Sequence, residues 1–242
     1  MRLALAAGLG LLLTAGCNGS VTTDPPGSGG SGGTSGTTTG ATATGSTSAT
    51  TGSGGICAGF EDAKGANTVI VRFHNNTGVP VYLPAQCAGI NYTIKPKSGD
   101  DGVTYNFDTS CLQTCFDLQT QPPFACGLCA PTSYFIAPGA TREVAWDGTG
   151  LRSDVAMPNA CFAEPQGGLC PQIVSAPADK YGITATGFSS CGAGCTCTPE
   201  GICSSSGEGM QAYADPVVLD FPSQSVVDVD FGICAFGCPG GP

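Results

Sequence analysis

The sequence predicts an all-β chain, a β-sandwich whose loops carry disulfide-stapled insertions. Three observations predict it. Apolar and polar residues alternate with period two in several short runs after Ile56. Gly, Pro, Asn and Asp separate these runs as turns, and no run carries a sustained helical period with caps. Cysteines cluster in the stretches between the runs.

The runs follow in order. Val69, Val71 and Phe73 share one face of a first strand, with Ile70, Arg72 and His74 on the other. Asn75-Asn76-Thr77-Gly78 makes a turn, and Val79-Pro80-Val81-Tyr82-Leu83 is expected as the return strand, with Pro80 at a strand start or edge. Tyr134-Phe135-Ile136 runs into the turn pair Pro138-Gly139, and Glu143-Val144-Ala145-Trp146 is closed by Asp147-Gly148. Tyr181–Ala185 and Val217–Phe221 are further strands. In Val227-Asp228-Val229-Asp230-Phe231 the apolar residues face inward and the acids outward. Seven or eight short strands with such punctuation fit a sandwich.

Of the 15 cysteines, Cys17 stands alone near the start and 14 follow Ile56. Three insertions hold ten of them: Cys111, Cys115, Cys126 and Cys129; Cys161 and Cys170; Cys191, Cys195, Cys197 and Cys203. Cys57, Cys87, Cys234 and Cys238 lie nearer the strands. An even number in an exported chain predicts seven disulfides and no free thiol. Pairing within each insertion is the expected pattern.

The N-terminus carries the evidence for export. Arg2 precedes an apolar run from Leu3 to Leu13, too short for a spanning helix, which needs about 20 residues, and of signal-peptide length. Thr14-Ala15-Gly16-Cys17 resembles the lipobox of bacterial lipoproteins, although that family prefers Leu where Thr14 stands. The resemblance implies a signal peptide over 1–16, lipidation of Cys17 and attachment to a membrane through the acyl chains. From Cys17 to Gly55 the chain is mostly Gly, Ser, Thr and Ala. Such a segment cannot repay the entropy of ordering and is expected to act as a tether with a reach of roughly 35 Å. Residues 56–242 are then the folded domain.

Two wider resemblances add expectations. Ile136-Ala137-Pro138-Gly139, Val144-Ala145-Trp146-Asp147-Gly148, Ala176-Pro177 and Tyr181-Gly182-Ile183-Thr184-Ala185 resemble a pattern of immunoglobulin-like modules, including the bacterial intracellular proteinase inhibitor family. This implies an immunoglobulin-like sandwich and transfers no inhibitory residue. The layout as a whole also resembles the Cys-rich, Gly/Ser/Thr-tethered lipoproteins of myxobacteria. With Asn18 after Cys17, where Asp would hold a lipoprotein at the inner membrane, that resemblance implies the outer membrane.

Few residues offer chemistry. Cys111, Cys115, Cys126 and Cys129 have zinc-ligand spacing, but exported thiols are expected to be oxidised. His74 is the only histidine and is expected on the solvent face, with no acid and nucleophile in line. Asp228 and Asp230 share a strand face as solvated charges rather than a glycosidase-type pair. Asp100-Asp101-Gly102 and Asp108 are acidic but do not match a calcium loop. Trp146 is expected in the core. Asn75-Asn76-Thr77 and Asn91-Tyr92-Thr93 match glycosylation sequons without expected consequence. A net charge of −10 would repel phosphate backbones, so no nucleic acid partner is expected. The sequence thus points to a membrane-anchored, non-enzymatic module that binds a protein or glycan or covers the envelope surface, with no cofactor and no metal. A protease inhibitor and a histidine-independent hydrolase are the other readings.

Overall fold

The computed structural model of the chain describes residues 55–87, 89–164 and 167–237. The expected signal segment, Cys17, most of the expected tether and Cys238 lie outside the described residues. The chain is nearly all β, with several sheets in a sandwich-like arrangement. No helix among the described residues is long and apolar enough to cross a membrane.

One sheet has three strands. β1 (Val69–Asn75) runs in its centre, parallel to β14 (Val226–Phe231) and antiparallel to β7 (Thr141–Trp146). The period-two pattern does what it predicted: Val69, Val71 and Phe73 are buried, as are Val227, Val229 and Phe231. A second sheet is organised by the long strand β10 (Asp179–Ser190). Its first half lies between β4 (Tyr92–Pro96) and β13 (Val217–Phe221). Its second half pairs with β2 (Val81–Gln86) and β12 (Glu208–Tyr213). β2 also pairs with β3 (Gly89–Ile90) and β6 (Pro131–Ile136), and β11 (Ile202–Cys203) adds to β6. A third sheet holds β5 (Val103–Thr104), β8 (Thr149–Met157) and β9 (Gly168–Ser175).

The return strand is a correction. β2 starts at Val81, immediately after Pro80, yet it does not pair with β1. Both edges of β1 are already occupied by β14 and β7, so the chain crosses to the other sheet.

The main core lies among these sheets and includes Phe73, Leu83, Ile136, Tyr181, Ile183, Leu219 and Phe231. Burying each such side chain contributes about 1.5–3 kcal/mol. Trp146 is in this core, as expected, and its indole N–H donates to the Thr149 carbonyl at 2.8 Å. It packs against Tyr181 (centroids 5.6 Å apart) and Phe221 (5.0 Å), and Tyr105 closes the cluster. Tyr181 begins the core-facing row of β10, and its hydroxyl donates to the Pro177 carbonyl at 2.9 Å. A tyrosine bonded to backbone a few residues upstream is a corner device of immunoglobulin-like sandwiches. Gly148 must be glycine. Its φ is +76°, and a Cβ would stand 2.7 Å from the Phe221 ring.

A second, smaller core gathers Cys115, Leu118, Met157, Cys161, Phe162 and Cys170. It contains two long-range disulfides, Cys57–Cys161 and Cys115–Cys170. These overturn the expectation of pairing within each insertion for Cys115, Cys161 and Cys170. Cys161 and Cys170 flank the β8–β9 connection but face different partners, the chain before β1 and the helix α1 (Cys115–Leu118). Cys87–Cys129 likewise ties the end of β2 to the first insertion. Cys111–Cys126, Cys191–Cys195 and Cys197–Cys203 pair within their insertions, as expected. Cys234 is disulfide-bonded as well.

The short helix α1 is an addition to the sequence reading. Thr114 caps it: the Asp117 N–H donates to the Thr114 hydroxyl oxygen at 3.3 Å, and the Thr114 N–H donates to the Asp117 carboxylate at 2.9 Å. This capping box was present in the sequence as Thr114-x-x-Asp117, without a hydrophobic period long enough to mark a helix.

Candidate binding loop

The first insertion presents an exposed loop on a rigid mount. The mount is the small disulfide core with α1 above it. The Thr114 hydroxyl also donates to Asp62 at 2.5 Å, and Asp62 accepts the Ile173 N–H of β9 at 2.9 Å. Beyond α1 the chain carries no regular structure from Pro122 to Ala130, and Gln121 through Leu128 are all exposed.

Three constraints fix this loop. Cys111–Cys126 closes it across its base. Cys87–Cys129 fastens its far end to β2. Cys87 sits at φ 50°, among the described residues the one non-glycine in the left-handed region, a conformation that costs about 1–2 kcal/mol. The third constraint is Gln113. Its amide nitrogen donates to the Pro122 carbonyl at 2.8 Å, and its amide oxygen accepts the Phe124 N–H at 3.2 Å. One side chain therefore braces both sides of Pro123.

The loop displays apolar side chains instead of burying them. Leu128 has a relative exposure of 102% and Phe124 of 54%. An isolated exposed Leu is ordinary, but two on one braced loop are not a folding requirement. A loop held on a rigid scaffold loses little entropy on binding, so its exposed apolar area is available for affinity. Sequence reasoning named the cysteines of this insertion but not Gln113, Phe124 or Leu128. The signal was the run Pro122-Pro123-Phe124 and a Leu between two cysteines, which becomes informative only once the bridges are known.

The other candidates from the sequence fall as follows. The cysteines 111, 115, 126 and 129 do not form a four-thiolate group, because they enter three different bridges. Asp100 accepts the Gly102 N–H and Asp101 the Val103 N–H, as turn caps. Asp108 stands elsewhere, within 4.8 Å of the Cys87 and Cys129 sulfurs and capping Ser110. The sequon residue Asn75 is fully buried and engaged in four hydrogen bonds.

His74 is held more firmly than expected. Its Nε2 lies 2.9 Å from Asp228 and its Nδ1 lies 2.7 Å from the Thr141 hydroxyl. With the proton on Nε2, the ring donates to the carboxylate and accepts from the hydroxyl. Arg72 extends the row, 3.2 Å from Glu143 and 3.7 Å from Asp228. Asp230 accepts from Asn76 at 2.9 Å. The order hydroxyl, imidazole, carboxylate is that of an activated nucleophile. The described clefts, the widest about 840 Å³ between Thr184 and Phe236, are lined by none of these three side chains. On the outer face of a sheet such a row acts as cross-strand pairing, and exposed ion pairs contribute about 0–1 kcal/mol each.

Ionisation is perturbed mainly in the core. Burial pushes the phenols of Tyr92, Tyr105 and Tyr181 up from their ordinary range. At the surface, the Ser98 hydroxyl, donating at 2.5 Å, holds Asp179 below its usual value. The Thr198 hydroxyl does the same for Glu200. None of these groups lies on the braced loop.

Comparison with known proteins gives no match: no protein family, no curated protein and no solved structure resembles the chain at a significant level.

Proposed function

We propose that the protein is a lipid-anchored, extracytoplasmic binding module that engages a protein partner through the braced loop Pro122–Ala130. The single observation that carries the binding reading is the exposed pair Phe124 and Leu128 on a loop fixed by two disulfides and by Gln113. Preorganised apolar side chains favour a protein pocket over a glycan, since Pro122–Ala130 carries no hydroxyl, amide or charged side chain.

The address rests on the sequence: Arg2, the apolar run and the lipobox-like Thr14-Ala15-Gly16-Cys17, followed by a Gly/Ser/Thr tether. Two or more acyl chains on Cys17 would anchor stably, and the resemblance to tethered outer-membrane lipoproteins supports that membrane. The oxidised cysteines agree with an exported life.

The test has two arms. Acyl-lipid labelling of cells should mark the wild type and not Cys17→Ala; an unlabelled wild type overturns the anchor. Capture from envelope extract by the full chain should be lost in Leu128→Asp and retained in Ile233→Asp, a strongly exposed apolar site elsewhere. Equal capture by both variants removes the loop from the proposal.

A second reading is a protease inhibitor. The same observation favours it: a disulfide-tied, internally braced backbone carrying one fully exposed Leu can occupy a protease cleft and resist cleavage. A panel of proteases specific for large apolar residues would decide, and no inhibition at micromolar protein sinks it.

A further inference from the structure

The third insertion gathers four sulfurs away from the braced loop. Cys191, Cys195, Cys197 and Cys203 place their Sγ atoms within 4.8 Å of one another. They form two neighbouring disulfides, Cys191–Cys195 and Cys197–Cys203. A tetrahedral zinc site with Zn–S of about 2.3 Å has sulfurs about 3.8 Å apart, so once the two S–S bonds open, four sulfurs already gathered within 4.8 Å need only small shifts to surround one ion.

Backbone hydrogen bonds tie this segment in addition to the S–S bonds. Cys197 and Cys203 face each other as a bridge pair. Backbone hydrogen bonds flank that pair on both sides, Thr198 N–H to Ile202 O at 2.8 Å and Ser204 N–H to Thr196 O at 3.0 Å. The Cys195 N–H donates to Gly192 O at 3.4 Å, turning Cys195 back toward Cys191. Gly192, Gly194 and Gly201 supply the positive φ that turns this tight require. Arg142 secures the tip, donating to Glu200 O at 3.0 Å while its guanidinium lies 4.2 Å over the Tyr134 ring, and brings a positive charge beside the segment.

A separate observation concerns Ser133. It is fully buried and its hydroxyl has no hydrogen-bond partner. An orphaned buried hydroxyl costs about 1–3 kcal/mol. In the β6–β11 ladder Ser133 stands directly opposite Cys203, so the two side chains lie on the same face. A disulfide sulfur is a poor acceptor, whereas a thiolate is a good one. Cys203 is itself fully buried.

We propose that Cys191, Cys195, Cys197 and Cys203 form a redox-gated metal site: reduced, the four thiolates hold one thiophilic closed-shell cation such as zinc, and Ser133 hydrogen-bonds the Cys203 sulfur. Each bridge opens with one dithiol reductant, whose two thiols close to a disulfide as the two protein sulfurs take up their protons. Zinc then displaces four protons as the four Zn–S bonds form. In the oxidised chain the same sulfurs are bonded to each other and the site is closed. This site goes beyond the binding reading and does not rest on it.

The experiment uses the full chain, reduced with a phosphine and titrated with cobalt(II) as an optical stand-in for zinc. One equivalent should give thiolate charge-transfer bands with tetrahedral d–d bands, and zinc should bleach them. The unreduced chain should give none. Cys191→Ser and Cys203→Ser should each weaken binding at least a hundredfold, and Ser133→Ala about tenfold. A chain with Cys111→Ser and Cys126→Ser should bind as the wild type does. If Cys203→Ser does not fold, Cys195→Ser takes its place with the same expected loss. Absence of the bands in the reduced wild type overturns the proposal, as does binding by the Cys191 and Cys203 variants as tight as that of the wild type.

Discussion

The side-chain amide of Asn75 donates to the carbonyl of Ile136, 61 residues further along the chain, at 2.9 Å. The same amide group donates to Val79 O at 2.9 Å, and its oxygen accepts the N–H and the hydroxyl of Thr77. One buried side chain thus satisfies the turn after β1 and fastens it to the end of β6, where the chain passes between sheets.

Asn75→Ala should therefore cost about 3 kcal/mol, since it leaves buried backbone groups unpaired rather than simply deleting a contact. Chemical denaturation should show a lower midpoint with an unchanged slope. A loss below about 1 kcal/mol would falsify the role given to this residue. Asn75→Asp keeps the acceptor but loses the donor, so it should also destabilise.

Alkaline pH should unfold the protein by way of its core tyrosines. Tyr92, Tyr105 and Tyr181 have folded-state phenol values raised by burial. The folded state therefore binds their protons more tightly than the unfolded chain does. Their contribution is fully present below the unfolded value near pH 10 and falls above it, by up to about 1.4 kcal/mol per pH unit for each tyrosine. Denaturation midpoints should be flat with respect to these groups from pH 8 to about 10 and drop above it. Spectrophotometric titration should show three of the six tyrosines ionising late, with unfolding.

The bridges should rank by the chain they close. Cys57–Cys161 spans 104 residues and Cys111–Cys126 spans 15. Loop-closure entropy gives about 4.7 kcal/mol for a loop of about 100 residues and about 3 kcal/mol for about 15. The double Ser variant at 57 and 161 should lose more stability than that at 111 and 126. The reverse order in denaturant midpoints would contradict this ranking. Every described cysteine is bridged, so alkylation without reductant should leave these thirteen unlabelled.

Gln113→Ala should leave the fold intact and loosen one loop. Its amide bonds only Pro122 O and Phe124 N–H across an exposed segment. Hydrogen exchange at Phe124 should speed up while β1 and β10 stay protected, with global stability changed by about 1 kcal/mol or less. Faster exchange throughout the main core would show that the brace supports the whole domain.

Much of the architecture could be read along the chain because it is local. Alternation in Val69–Phe73 and Val227–Phe231 marks strands, since successive side chains point to opposite faces whatever the strand pairs with. Trp146 reads as core, and Asp147-Gly148 reads as a turn, for similarly local reasons. The glutamine that braces the loop carries no such signal, because Gln113 becomes meaningful only when Pro122 and Phe124 fold back onto it.

The sequence by itself determined the strand positions, the inward faces and a chain rich in cysteines with an even count after Ile56. Tertiary structure decided the partners. It set β14 parallel beside β1, from Ile70 opposite Val226 to Asn75 opposite Phe231, and sent β2 to the other sheet. It joined Cys57 to Cys161 and Cys115 to Cys170, and so fixed what stands exposed, Leu128, and what converges, the sulfurs of Cys191, Cys195, Cys197 and Cys203. The physical reason is range. A side chain's direction follows from its neighbours along the backbone, whereas a partner follows from which distant surfaces can be buried together, and 14 equivalent cysteines admit many pairings that only the packed core distinguishes.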